Sequence, residues 1–174
     1  TVAETSLTFP CLKYVIDTGL INMSVYSLAL ERTQLEEIKS AKSTTKQRLG
    51  RLGRTQPGEY YALYDYLPGE QREYPIPQIC QSDLVNIEFS LRKSCLRTNL
   101  RDFIQYLPDK PKREFIDDAI KQLQRLEFIG RPPNEYFTSL GKSIAELPDF
   151  TSLSMSKAVH AALTRYRCGR DLII

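Results

Sequence analysis

Gln47, Arg48, Gly50, Arg51, Gly53 and Arg54 place three arginines at a spacing of three, with glycines between them. On a helix or a tight turn Arg48, Arg51 and Arg54 share one face, and Gly50 and Gly53 let the backbone approach a neighbouring domain or a phosphate closely. A guanidinium suits phosphate because its planar fork gives bidentate, charge-assisted hydrogen bonds and stays ionised when desolvated. Aimed at a transferring γ-phosphoryl group, it stabilises the charge of the transition state. The plainer reading of a basic run is a solvated helix face or a general RNA-binding patch. Three arginines in register with two glycines and a glutamine favour the sharper one. From Lys39 to Arg54 there are six basic residues and no acidic one, whereas Glu31, Glu36 and Glu37 come just before.

The elements that must position this run are legible on both sides of it. Cys11 to Asp17 is a short β-rich apolar run closed by Gly19, which reads as a buried strand of a mostly parallel sheet. Asp17 at its end could orient a water or a basic residue, or cap the turn. Ser24 to Arg32 alternates loosely and predicts a hairpin with a return strand near Leu35 to Ile38. Ser43, Thr44 and Thr45 are N-cap candidates for a helix running into Gln47; Gly50 and Gly53 weaken that helix. Pro57-Gly58 predicts a turn and Glu59 to Tyr66 an aromatic strand, whose tyrosines suit either sheet packing or base stacking. The stretch from Leu67 to Gln78, with three prolines and a glycine, suits a linker or crossover loop.

Beyond it the period changes to helical. Asp83 to Leu96 keeps Leu84, Ile87, Leu91 and Cys95 on one side, and residues 112 to 127 repeat this with Phe115, Ile116, Ala119, Ile120, Leu123 and Leu126. Phe128 to Thr138 predicts two short β segments around a proline turn. A helix from Ser139 to Glu146 follows, ended by Pro148, and then an amphipathic helix from Thr151 to Tyr166. Helices, a small β-wing and a further helix suggest a winged-helix-like module.

Composition excludes several classes. Lys and Arg number 24 against 21 acidic residues, so net charge alone does not argue for nucleic acid. No stretch approaches the roughly 18 consecutive apolar residues of a membrane span, and no basic-then-apolar leader opens the chain. Cys11, Cys80, Cys95 and Cys168 form no CxxC pair, which argues against zinc and suits reduced thiols in an intracellular protein. The lone His160 reads as a packed or surface residue. Lys110, Lys112 and Arg113 crowd a helix N-terminus and read as a solvated end. An opening on Thr1 and a close on Leu172-Ile173-Ile174 read as cuts through a larger protein.

The run from Gln47 to Thr55, followed by Gln56 to Tyr64, resembles motif VI and the adjoining strand of the DEAH-box ATP-dependent RNA helicases of superfamily two. Thr1 to Thr8 followed by Tyr14 to Gly19 resembles motif V of the same family, with Thr1 where the family usually has Asn. Tyr136 to Pro148 resembles the family's wing and following helix, and Thr151 to Leu163 resembles the first helix of its helical ratchet. The fold this implies is α/β plus α+β. Residues 1–66 would be the C-terminal part of the second RecA-like domain and 67–148 a linker and winged-helix domain. Residues 149–174 would begin the ratchet bundle.

The resemblance implies ATP with Mg2+ as cofactor, bound mainly by an N-terminal RecA-like domain, and RNA, single-stranded, as partner, with a possible protein activator and no membrane. It makes Arg51 and Arg54 the arginine fingers and sets Gln47, Arg48, Gly50, Gly53, Ser6 and Thr8 at the nucleotide. Thr1, Glu4 and Thr5 would couple that site to the RNA backbone, and no metal ligand is implied. Pro10 stands where many relatives carry an acidic residue that contacts ribose. A Walker A loop of the form GxxxxGK[ST] and a DEAH string are both absent, so the chain alone should not hydrolyse ATP. The rival readings are a degenerate helicase serving as an RNA- or protein-binding scaffold and a free-standing winged-helix DNA binder.

Overall fold

The computed structural model describes residues 8–94 and 98–170. The chain divides into two compact units, one of Thr1–Ser27 with Thr33–Gln81 and one of Leu28–Arg32 with Ser82–Ile174. In the first, β1 (Tyr14–Asp17) pairs in parallel with β4 (Glu59–Ala62), with Asp17 opposite Ala62. Between them come the strands β2 (Leu20–Ser27) and β3 (Arg32–Lys39), which pair with each other, and helix α1 (Lys42–Leu49).

Several expectations need correction here. β1 is parallel-paired but not buried throughout: Tyr14 and Ile16 are 59% and 67% exposed, and Asp17 alone is fully enclosed. Side chains alternate across a strand, and among the described residues the Tyr14–Ile16 face has no covering layer. The hairpin turns at Leu28–Glu31 rather than near Thr33-Gln34, because Glu31 takes a left-handed φ of 48°. Helix α1 starts at Lys42 with Ala41 as N-cap and no hydroxyl cap. Its free N–H groups are met by backbone instead, Lys42 N donating to Arg72 O (2.9 Å) and Ser43 N to Glu73 O (3.1 Å). The supposed linker therefore packs into the first unit, an arrangement that the Lys39–Glu70 and Lys42–Glu73 ion pairs reinforce.

The second unit contains α2 (Val85–Lys93), α3 (Leu100–Phe103), α4 (Arg113–Arg125), α5 (Ser139–Glu146) and α6 (Leu153–Ala161). The last continues as a π-helical turn over Ala162–Tyr166. Ile116, Ala119, Ile120 and Leu123 give α4 the buried stripe its 3.6-residue period predicts. Phe128 and Ile129 lie beneath, and the Phe89 ring meets those of Phe128 and Phe137 at 5.7 and 5.3 Å. Where two short β segments around a proline turn were expected, there is a single antiparallel bridge between Ile129 and Phe137, with Gly130 N donating to Tyr136 O at 2.9 Å.

On α2 the buried face is not the one the apolar pattern marks. Leu84, Val85 and Phe89 are buried while Ile87 is 36% exposed, because Glu88 occupies the interior with no exposed surface. Its carboxylate accepts from Leu100 N (2.7 Å) and Arg92 Nε (2.6 Å). Cys95, assigned to the same face, lies outside the described residues.

Helix α5 shows how tightly this unit is fitted. Thr138 caps it, its Oγ1 accepting from Gly141 N at 3.0 Å, and a Cβ on Gly141 would sit 2.0 Å from Phe128 O. Gly141→Ala must displace that backbone and is expected to destabilise the fold by about 1–3 kcal/mol. A urea titration checks this; an unchanged midpoint would show that the helix shifts freely.

Candidate functional site

The Asp17 side chain is the centre of the site. β1 stops there because Asp17-Thr18-Gly19 turns, with Gly19 at φ 74° and its N–H donating to Asp17 Oδ1 at 2.8 Å. Glycine is needed there for space as well, since a Cβ would lie 2.5 Å from the Tyr64 ring. The parallel pairing with β4 brings up Tyr60, whose hydroxyl donates to Asp17 Oδ2. From the last turn of α1, Arg48 donates through NH1 to Asp17 Oδ1 (2.5 Å) and through NH2 to Leu20 O (2.9 Å).

A chain of hydroxyls continues outward. Tyr60 and Tyr64 are 3.1 Å apart and Tyr64 and Thr45 3.4 Å, and Gln71 Nε2 donates to Thr45 Oγ1 at 2.9 Å. Tyr66 stacks on Tyr64 at 4.5 Å between ring centroids, donates its hydroxyl to Gly19 O and lies under Lys39 Nζ at 5.1 Å. Burial alone would raise the Asp17 pKa. The Tyr60 hydroxyl, the Gly19 N–H and the Arg48 guanidinium outweigh it and hold the carboxyl below its ordinary value. Tyr60 is pushed the other way, by burial and by the carboxylate it faces.

Helix α1 ends at Leu49, so the arginine run does not continue on one helical face. Arg51 N and Leu52 N close a turn onto Arg48 O and Leu49 O at 3.1 and 3.0 Å, and Gly53 takes φ 71°. Gly50 keeps an ordinary right-handed conformation, φ −66°. Arg48 is directed inward. Arg54 lies over the turn, its Nε donating to Gly50 O (3.1 Å) and its NH1 to Thr8 Oγ1 (3.3 Å). Thr55 Oγ1 donates to Pro10 O at 2.7 Å, which ties the turn to the stretch just after Thr8. Among the described residues, Arg51 Nε is buried without a hydrogen-bond partner, as is Gln56 Nε2, and Gln47 is exposed. Thr1, Glu4, Thr5 and Ser6 lie outside the described residues.

The structure thus brings Arg54 and Thr8 together, carries Arg51 on the same turn as Arg54 and holds Arg48 on Asp17 and Leu20 instead. Tyr60, Tyr64, Thr45 and Gln71 were not foreseen as part of this arrangement. For the two tyrosines the only signal was the aromatic density of Glu59 to Tyr66, which suits packing equally well; Thr45 was read as an N-cap candidate and Gln71 as part of a linker. The sequence does contain the triplet Gly141-Lys142-Ser143 that ends a Walker A loop. Tyr136 stands where the leading glycine would be, and the Gly141 N–H is taken by the Thr138 cap, so no phosphate cradle forms.

No protein-family model matches the chain. It is 29% identical to the ATP-dependent RNA helicase DHX30 of chicken over 99% of its own length and 14% of that protein's. With the cattle ATP-dependent DNA/RNA helicase DHX36 identity is 34%, over 84% of this chain and 14% of the relative. The Arabidopsis ATP-dependent RNA helicase DExH2 gives 30%, over 84% and 9%. Its homologues are DExH/DEAH-box helicases. The chain therefore spans about a seventh or less of the length of these helicases. The fold agrees with the crystal structure of the E. coli DExH-box NTPase HrpB, at a TM-score of 0.75 and 23% identity over 92% of this chain and 19% of that one. Mixed α/β architecture with a small parallel sheet is thus shared with that NTPase.

The lowered Asp17 pKa sets a pH dependence. A carboxyl with a depressed folded-state pKa contributes stability that is present above its unfolded value, about 3.9. That contribution is lost as pH falls through the folded value. Asp17→Asn should therefore unfold at lower urea than the native chain at pH 7, with the gap closing below about pH 4. A gap equally wide at pH 3 and pH 7 would mean that the charge on Asp17 is not what the site stabilises.

Proposed function

We propose that this chain is part of an ATP-dependent RNA helicase that couples ATP hydrolysis to translocation on, or unwinding of, RNA. The observation that carries the reading is the match to proteins named as ATP-dependent helicases along 84–99% of the chain. ATP with Mg2+ is the cofactor, held mainly by a RecA-like domain outside this segment. Arg51 and Arg54 act as the arginine fingers, with Gln47, Gly50, Gly53, Ser6 and Thr8 near the nucleotide and Thr1, Glu4 and Thr5 coupling it to single-stranded RNA.

The residues present fit an anionic group. Among the described residues no carboxylate pairs with Arg51 or Arg54, the Arg51 Nε donor is unspent, and Arg54 rests on neutral oxygens. When bound, the nucleotide supplies the γ-phosphoryl group whose charge these guanidinium groups would stabilise. Arg54 is exposed to solvent, and Arg51 is half-buried with its Nε enclosed. The helices and β-bridge of 82–148 act as a winged-helix module, and α6 begins a ratchet bundle. The Ile129–Phe137 bridge and the capped helix that follows support the first assignment. An intracellular setting, and a protein activator, complete the reading. Without Walker A and DEAH motifs the isolated chain should not turn over ATP.

In the full-length protein, Arg51→Ala and Arg54→Ala should each lower RNA-stimulated ATP turnover by roughly a thousandfold or more, with an unchanged circular dichroism spectrum. Undiminished turnover in both would remove the finger assignment.

A further inference from the structure

The phosphate reading groups Arg48 with the nucleotide contacts, yet its geometry gives it another task. Both ends of its guanidinium are engaged inside the first unit, on Asp17 Oδ1 at 2.5 Å and Leu20 O at 2.9 Å. Its side chain is 18% exposed and that of Asp17 is wholly enclosed. Swinging Arg48 out to a phosphate would leave a buried carboxylate short of its cation, which is a costly state.

Arg48 is also the residue from which the arginine turn departs, since its carbonyl accepts from Arg51 N at 3.1 Å. We propose that Asp17 and Arg48 form a buried positioning pair that sets the direction in which Arg51 and Arg54 leave helix α1. This rests on the reading of Arg51 and Arg54 as phosphate contacts. The hydroxyl chain from Asp17 extends the clamp to the other end of α1. Tyr60 donates to the second carboxylate oxygen and contacts Tyr64, and Tyr64 contacts Thr45 in the first turn of the helix. Gln71 closes the chain from the loop at 2.9 Å. One carboxylate thus holds the last turn of α1 through Arg48 and reaches its first turn through two tyrosines. Arg48 is a positioning residue, and the phosphate contacts belong to the two arginines after it. A displacement of about 1 Å at a group acting on the transition state can cost up to a hundredfold in rate, so rigidity at this root has kinetic weight.

The test is steady-state, RNA-stimulated ATPase kinetics on the full-length protein, with Asp17→Asn, Arg48→Gln, the double variant, Arg48→Lys, Tyr60→Phe and Arg54→Ala, each assayed well below its melting temperature. Positioning acts in the transition state, so Asp17→Asn and Arg48→Gln should each lower kcat by roughly 10- to 100-fold, with KM for ATP moving less than about threefold. The double variant should be no worse than the weaker single, because the two side chains act as one unit. Arg48→Lys keeps the charge beside Asp17 and should recover part of the loss. A raised KM with kcat retained in Arg48→Gln, or additive losses in the double variant, would show Arg48 to be a phosphate ligand and overturn the pair. Should Asp17→Asn fail to fold, Tyr60→Phe removes one donor only and should still lower kcat by about 3- to 10-fold; native kcat in both Tyr60→Phe and Arg48→Gln also overturns it. Arg54→Ala separates the two levels. Full activity in Arg54→Ala defeats the phosphate reading itself, whereas loss there alongside native kinetics in Asp17→Asn and Arg48→Gln defeats the positioning pair alone.

Discussion

Burying a carboxylate is the constraint around which the first unit is organised. Even after relaxation, removing such an ion from water costs on the order of several kcal/mol unless donors replace the lost hydration. Asp17 has its donors from three places: the Gly19 N–H at the strand end, the Tyr60 hydroxyl on β4 and the Arg48 guanidinium on α1. None is adjacent to the others in the chain, so turn, parallel pairing and helix must be correct together or the charge is left unsatisfied. That mutual dependence supplies specificity where apolar burial is thin. The buried residues of this unit are chiefly Asp17, Tyr26, Ser40, Ala41, Thr44 and Gln81, while Tyr14, Ile16, Leu35 and Leu63 are exposed.

The second unit answers the same problem inside a conventional apolar core. Glu88 is as deeply enclosed as Asp17, and it too is met by a backbone N–H, that of Leu100, and an arginine, Arg92. Arg92 in turn donates to the Glu135 carbonyl, so α2, the start of α3 and the loop between the two bridged residues are joined at one ionic centre. Arg101 adds a surface layer by bridging Asp117 and Glu135 at 2.9 and 3.2 Å. The exposed layer is worth little, since solvent screens it. The buried pair fixes which residues of α2 face inward, and this is why Glu88 rather than Ile87 occupies the interior.

Legibility in the sequence followed the type of force involved. Helices α4 and α5 were readable because the apolar spacing of the first and the Pro148 stop of the second are local signals. The parallel strand was recognisable from its β-branched run, but not its exposure, which depends on what lies across its faces. Hairpin pairing was visible while its turn was not, since Glu31 adopts a left-handed conformation that composition does not announce. The start of α1 was misplaced for a related reason. Its donors are capped by the carbonyls of Arg72 and Glu73, some thirty residues on, and backbone carries no sequence signature. At the candidate site the arginines were identified by spacing, but spacing treats them as equivalent, and only the Asp17 partnership distinguishes them.

That distinction has an electrostatic meaning. Arg48 faces a carboxylate at hydrogen-bond distance, so its charge is largely cancelled within the fold and contributes little field at a distance. Arg54 is held by a carbonyl and a hydroxyl, which orient the guanidinium without neutralising it. Among the described residues the buried Arg51 Nε finds no hydrogen-bond partner, a state that costs free energy. A run of three similar side chains is therefore divided by burial into an anchor and two cations whose charge remains available. The division follows from where α1 stops. Had the helix continued through Arg54, the three would share one face and one environment. Because it ends at Leu49, the anchor stays in the helix and the other two are carried out on the turn.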